Sequence, residues 1–325
     1  MTGRASEERP AATSEAHPPG RQAAGGGDPA AHGEQPTPDP APDRLTRTAR
    51  FAWGAVVVIL IGVIGLIVYA LTGPPSSSGT VHRVPTSDTV IAEVGRVPAR
   101  VFDSVGVTAT DPLVVPTVLT HQPPLEAAGK PEVLFVGADY CPFCAAERWP
   151  LVVALSRFGH FATLYNMQSG QQSVFPGLQT FSFVGAAYSS RYVAFSGVEL
   201  YSDSIGSDGA YTPIATLTPP QAAVMDRYSS GTGPRGRTGA FPFVDIDNQL
   251  VTSTSGFSPG LIVDRSQSAV ADALSQLHDP VGQAVVASAN YLTAGICLAT
   301  GQQPAAVCAS RGVRSADVAL GLHVR

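Results

Sequence analysis

Two cysteines with two residues between them, Cys141 and Cys144 in "ADYCPFCAAERWP", are the residues of this 325-residue chain whose type and spacing best suit chemistry. A dithiol of this spacing closes a small ring on oxidation, and it works as a redox couple when one sulfur is a thiolate near neutral pH. The flanking residues supply the setting. The continuous apolar run "PEVLFVGA" predicts a buried strand, and "CPFCAAERWPLVVALSRFG" then changes to helical spacing, with Trp149, Val152, Val153 and Leu155 among its apolar set. Cys141 falls at the N-cap of that helix and Cys144 one turn on, where unpaired amide hydrogens carry about half a positive charge. Pro142 suits the first helical position, since its missing N–H loses no bond there. Free cysteine titrates near ~8.5, and such a setting lowers that to ~3.5–7.5. Cys141 is the expected exposed nucleophile and Cys144 the expected shielded, resolving thiol.

Other uses of the pair stay open. Zinc usually takes four ligands, and neither a second C-x-x-C nor a closely spaced histidine pair occurs in the sequence. Copper accepts two thiolates and a histidine, for which His121 and His160 are the candidates. A purely structural bridge within one helical turn closes so small a loop that it constrains little. Redox chemistry ranks first by motif and by strand–helix context. The other two cysteines, Cys297 and Cys308, flank "LATGQQPAAV", where Gly301 and Pro304 predict a turn between helices. They read as a structural disulfide stapling a helix hairpin, or as a second redox pair relaying electrons to the first.

Compartment follows from residues 51–71, "FAWGAVVVILIGVIGLIVYAL", a stretch without charge close to the ~20 residues that cross a bilayer as a helix. The preceding 50 residues, the long apolar core and the absence of an A-x-A site favour an uncleaved anchor over a signal peptide. Arg44, Arg47 and Arg50 precede it, and the first cation after it is Arg83, so the N-terminus is expected in the cytoplasm and the rest outside. Residues 1–50 are poor in large apolar side chains and read as a disordered tail, and 72–87 read as a linker. Net charge is −5 and charged residues make up 14% of the chain, which leaves no basic footprint for nucleic acid.

The globular part is expected over 88–325. A short helix in "VPARVFDSVGV" presents Val101, Phe102 and Val105; "FATLYNMQS" is a strand; 181–202 is extended with a turn near Ser189; and "TPPQAAVMDRYS" opens a helix. Residues 243–246 and 250–254 predict a hairpin across "DNQ". Helices are expected over 263–277, over 280–299 and after Ser315.

At this point the residues resemble a family. "ADYCPFC", with Tyr140 before the first cysteine, is similar to the thioredoxin superfamily active site; Pro150 falls near that superfamily's helix-kinking proline, and "FPFVDIDNQ" resembles its cis-proline loop and hairpin. The resemblance implies an α/β thioredoxin-like fold, a mixed central sheet flanked by helices. It also implies a cis Phe241–Pro242 bond facing Cys141, with the Phe241 backbone pairing to substrate peptide. "GKPEVLFVGADYCPFCAAERWPLV" together with "ANYLTAGICLATGQQPAAVC" is more closely similar to the uncharacterised family catalogued as domain of unknown function 929, over most of 95–310. Two departures stand out. The superfamily's buried carboxylate, six residues before the first cysteine, is replaced by Phe135, and Asp139 and Glu147, the nearest carboxylates, are expected on the solvated surface. About 80 residues lie between Gly159 and Gly239, which implies an inserted subdomain over about 160–240. The expected activity is thiol–disulfide exchange, without metal or organic cofactor, on cysteine-containing exported proteins or a membrane redox partner. The alternative is a non-catalytic or copper-handling binding module.

Overall fold

The computed structural model describes residues 83–229 and 240–322. The expected tail, membrane span and residues 72–82 of the linker lie outside them. From the N-terminal side, α1 (Asp88–Gly95) and α2 (Ala99–Val105) lead to the short strands β1 (Thr117–Val118) and β2 (Glu126–Ala127), then to β3 (Lys130–Gly137) and α3 (Pro142–Ser156). Five strands follow: β4 (Gly159–Gln168), β5 (Gln179–Ser190), β6 (Ala194–Glu199), β7 (Tyr201–Ile205) and β8 (Tyr211–Pro213). After them come α4 (Pro219–Tyr228) and the hairpin β9 (Phe243–Ile246) and β10 (Leu250–Thr252). A 3₁₀ turn (Pro259–Ile262), α5 (Gln267–Ala273), α6 (Pro280–Ala299), α7 (Ala305–Cys308) and α8 (Arg311–Ala319) close the chain.

The architecture is mixed α/β. The central sheet runs β1–β10–β9–β3, with β2 paired to the start of β3 and β6 paired to β3 beyond it. β9 is antiparallel to β3, with Val133 opposite Ile246 and Val136 opposite Phe243. β6 is parallel to it, with Glu132 opposite Ala194 and Gly137 opposite Glu199. Burial on both faces accounts for the unbroken apolar run of β3. Val133 and Phe135 enter the large core with α3 and α6, while Leu134 and Val136 meet Val224 and Met225 of α4.

α3 is enclosed, being buried from Cys144 to Leu155, because α6 packs along it and is itself buried from Val281 to Cys297 apart from half-buried Gln283. α6 is long and apolar enough to cross a membrane, and its place in the core accounts for that composition. The expected strand after α3 forms as β4, but it pairs with β5 in a separate ribbon, and β6 is the strand that joins β3. Ring contacts between the two long strands, Phe161 on Tyr188 at 4.8 Å for instance, favour their mutual pairing. The region expected as an insertion therefore contributes a strand to the central sheet. Of the helix expected over 263–277, Gln267–Ala273 forms: a 3₁₀ turn capped by Ser258 precedes the range, Asp264 has φ +56°, and Ser266 caps α5. The last helix starts at Arg311, ahead of the expected position.

Candidate active site

Cys141 and Cys144 are free thiols at the point where β3 feeds α3. Two backbone bonds beyond the regular ladder, from Leu200 N–H to the Gly137 carbonyl (2.8 Å) and from Asp139 N–H to the Tyr201 carbonyl (2.9 Å), hold the connecting loop to the chain after β6. Cys141 is the N-cap, extended at φ −79° and ψ 122°, and the Cys144 N–H donates to its sulfur at 3.4 Å. The sulfur thus occupies the place that a capping oxygen usually fills. Cys141 is 8% exposed and Cys144 0%. Cys141 is the more accessible thiol, as expected, but it is recessed rather than open.

The two sulfurs are driven apart in acidity. The hydrogen bond from Cys144, most of all, lowers Cys141 below the ordinary thiol value against the opposing effect of burial; backbone N–H donors and the charge of Arg148 add to it. Burial pushes Cys144 well above that value, and the neighbouring Cys141 reinforces this. One thiol favoured as the anion beside one held protonated is the division of labour that a nucleophile and a resolving thiol require.

Beneath the pair lies an ion pair that sequence reasoning missed. Arg148 follows Cys144 by four residues and Cys141 by seven, so all three share a helix face. Its guanidinium donates to both Glu199 oxygens, at 2.9 and 2.7 Å, and to the Ala138 carbonyl at 2.9 Å, with both side chains of the pair fully buried. Nη1 of Arg148 has no hydrogen-bond partner. Burial works against the guanidinium's charge, but Glu199, Cys144 and Asp139 together outweigh it and raise its pKa. Burial raises Glu199, opposed by Arg148. Helical periodicity could have flagged Arg148. Glu199 becomes visible only once β6 is paired with β3, which sets it opposite Gly137.

Asp139 and Glu147, expected in solvent, are both buried. Asp139 accepts from Arg83 at 2.6 Å and from Ser182 Oγ at 3.1 Å. Glu147 accepts from the Gly256 N–H at 2.7 Å, and burial pushes it up to about 8. The surface expectation failed because α3 is buried from Cys144 to Leu155, so Glu147 faces protein, and because Arg83 and Ser182 close over Asp139 in the loop before it. Phe135 does hold the position six residues before Cys141, and a buried carboxylate that acts on the dithiol comes instead from β6 as Glu199, whose charge raises Cys144.

Aromatic side chains surround the loop. Tyr140 stacks on Tyr211 of β8 at 3.6 Å, lies 6.5 Å from Tyr201, and Tyr201 lies 6.5 Å from Phe241. Phe143, between the cysteines, is 37% exposed and meets Phe175 edge-on at 6.3 Å. The Phe241–Pro242 bond is cis. Because Phe243 lies opposite Val136, this bond sits at the end of the sheet from which β3 delivers Cys141.

The remaining sequence candidates lie elsewhere. Cys297 and Cys308 form a disulfide, Cα–Cα 5.6 Å, between α6 and α7. Arg157, which ends α3, donates to Ser310 Oγ at 3.2 Å just beyond Cys308, so the disulfide neighbours the far end of a 15-residue helix, about 22 Å long. Direct exchange with Cys141 is not available in this arrangement. His160 opens β4 beyond the same end of α3. His121 is exposed in the β1–β2 loop, near the β9–β10 turn, at the opposite end of the sheet from Phe243. Neither histidine is brought to the dithiol. Among the described residues, no group of three or more His, Cys, Asp or Glu side chains is placed to hold a metal ion.

No curated protein and no solved structure matches the chain significantly. A family described as Domain of unknown function (DUF929) matches residues 118–298, a span that includes the dithiol, Arg148, Glu199 and the cis-proline. With more than half of its length inside that match, the chain belongs to the DUF929 family.

Proposed function

We propose that this protein is a thiol–disulfide oxidoreductase with a thioredoxin-like domain, in which Cys141 attacks and Cys144 resolves. The observation that carries the reading is the asymmetry of the pair: an N-cap sulfur accepting the Cys144 N–H, beside a fully buried thiol above the Arg148–Glu199 ion pair. The cis Phe241–Pro242 bond at the same end of the sheet supports the likeness to that superfamily. The chain anchors in the membrane through residues 51–71, with the domain outside the cytoplasm.

In the reductive direction, the Cys141 thiolate attacks one sulfur of a client disulfide. The client S–S bond breaks, its departing sulfur takes a proton from water, and a mixed disulfide forms at Cys141. Cys144 then attacks the Cys141 sulfur, its proton leaving with the second client thiol, and two electrons have passed to the client. Run in reverse, the same steps oxidise a client dithiol. The recessed position of Cys141 suits an extended segment of client that can enter between Tyr140, Tyr201 and Phe241. Clients are cysteine-containing exported proteins or a membrane redox partner, and thiol–disulfide exchange needs no cofactor.

Replacing Cys144 by Ser in the full-length protein tests the reading. Expressed in its own membrane, C144S accumulates mixed disulfides that run as high-mass bands on non-reducing gels and collapse with reductant; a Cys141→Ser, Cys144→Ser variant shows none. Equal and background-level bands in both variants would refute it.

A further inference from the structure

The dithiol sits among four buried charges, and one of them comes from the segment that leads into the domain. Residues 83–86 run beside β4: the Val84 carbonyl accepts from Asn166 N–H at 2.8 Å, and Thr86 N–H donates to the Leu164 carbonyl at 2.9 Å. This seats Arg83 so that its side chain, 8% exposed, crosses to the loop before Cys141. Nη2 meets Asp139 Oδ2 at 2.6 Å and Nη1 meets Ser182 Oγ at 2.8 Å, while the same Ser182 hydroxyl donates to Asp139 Oδ1 at 3.1 Å. The result is a closed triangle of Arg83, Asp139 and Ser182 around a carboxylate with no exposed surface.

Asp139 lies two residues before Cys141 and in the field of the second ion pair, since its charge acts on both Arg148 and Glu199. With Arg83 in place, the two arginines balance the two carboxylates, and Arg148 is left to favour the thiolate. Without it, Asp139 becomes an unpaired negative charge near that guanidinium and competes with the sulfur for it. We propose that Arg83 is a positioning residue of the dithiol: the segment entering the domain supplies the counter-charge that keeps Asp139 from opposing ionisation at Cys141. The proposal rests on Cys141 being the reactive thiol, and it makes the residues ahead of α1 a working part of the site rather than a passive lead-in.

The effect passes through Asp139 and Arg148, so the readout must be electrostatic. Cys144 and Arg148 of α3 and Tyr140 of the loop interact with Cys141 directly; Glu199 of β6 acts on Cys144, Asp139 of the loop acts on Arg148, and Tyr201 and Tyr211 of the β7–β8 ribbon act on Tyr140. The experiment is the pH profile of Cys141 alkylation by iodoacetamide, read by mass spectrometry on full-length protein in detergent. Arg83→Gln should move the midpoint to higher pH and slow alkylation at pH 7 by about threefold or more, an effect of the size a nearby uncompensated charge produces. Arg83→Lys should restore most of the rate, and Arg83→Gln with Asp139→Asn, which removes both charges, should bring the midpoint back towards wild type.

A staple that merely fastens the segment would lower the melting temperature of R83Q and leave the midpoint where it was; that result overturns the proposal. So does a double variant that remains as slow as R83Q. If R83Q does not fold, Asp139→Asn decides: it takes a negative charge from the field of Arg148 and leaves the Arg83 cation, so the midpoint should move to lower pH, and an unmoved midpoint overturns the proposal. The shift between variants and wild type is informative whatever the wild-type midpoint, so an ordinary wild-type value would count against the oxidoreductase reading without being confused with this test.

Discussion

At the scale of single residues, the site depends on one fully buried arginine. Arg148→Met removes the cation that favours the thiolate and leaves Glu199 buried without its partner. Breaking a buried pair from one side costs on the order of 3–5 kcal/mol, so urea denaturation should show R148M far less stable than wild type. Its Cys141 alkylation should also slow at pH 7. Glu199→Gln acts the other way on the sulfurs, because Glu199 raises Cys144; the same alkylation assay should find Cys144 more reactive than in wild type. The cysteine pair itself was legible from spacing alone, and so in principle was Arg148, on the same helical face. Glu199 and Arg83 were not, because each reaches the loop through strand pairing between segments distant in sequence. Asp139 and Glu147 were misplaced for a related reason: charge argues for solvent only while the element's surroundings are unknown.

At the scale of elements, close approaches of helices are set by glycines. A Cβ on Gly282 of α6 would lie 2.1 Å from the Ala273 carbonyl oxygen at the end of α5, and one on Gly312 of α8 would lie 2.4 Å from the Phe102 carbonyl oxygen of α2. Backbone cannot give way as a side chain can. Gly282→Ala and Gly312→Ala should each destabilise by about 1–3 kcal/mol in chemical denaturation. Gly95→Ala, with nothing within 4 Å, should be neutral or slightly stabilising under the same conditions. Most elements could be read from the chain: β3, α3, α6 and the β9–β10 hairpin carry strong local signals in apolar period, proline placement and turn residues. Partner choice could not. Nothing local distinguishes β4 from β6 as the neighbour of β3; long complementary strands with matched rings decided it.

For the molecule as a whole, burial of Glu147 ties stability to pH. Its carboxyl stays protonated in the fold up to about pH 8, whereas in the unfolded chain it ionises above its ordinary value of 4.5. The native state therefore holds an extra proton between those limits, and this group's contribution to stability is full below 4.5 and falls as pH rises towards 8. The slope approaches about 1.4 kcal/mol per pH unit, and Glu147→Gln should flatten it in urea titrations at pH 5, 6.5 and 8. Asp245, raised by burial to about 7, slopes the same way and should account for what remains. The Cys297–Cys308 disulfide closes a short loop, so replacing both by Ala should cost about 2–3 kcal/mol while leaving Cys141 alkylation unchanged. The most direct test of the account is the pH dependence of alkylation at each cysteine of the full-length protein, resolved by mass spectrometry. Cys141 should react with a midpoint below the ~8.5 of free cysteine while Cys144 stays protected at pH 8. A Cys141 midpoint at or above that value, or Cys144 reacting first, would contradict it.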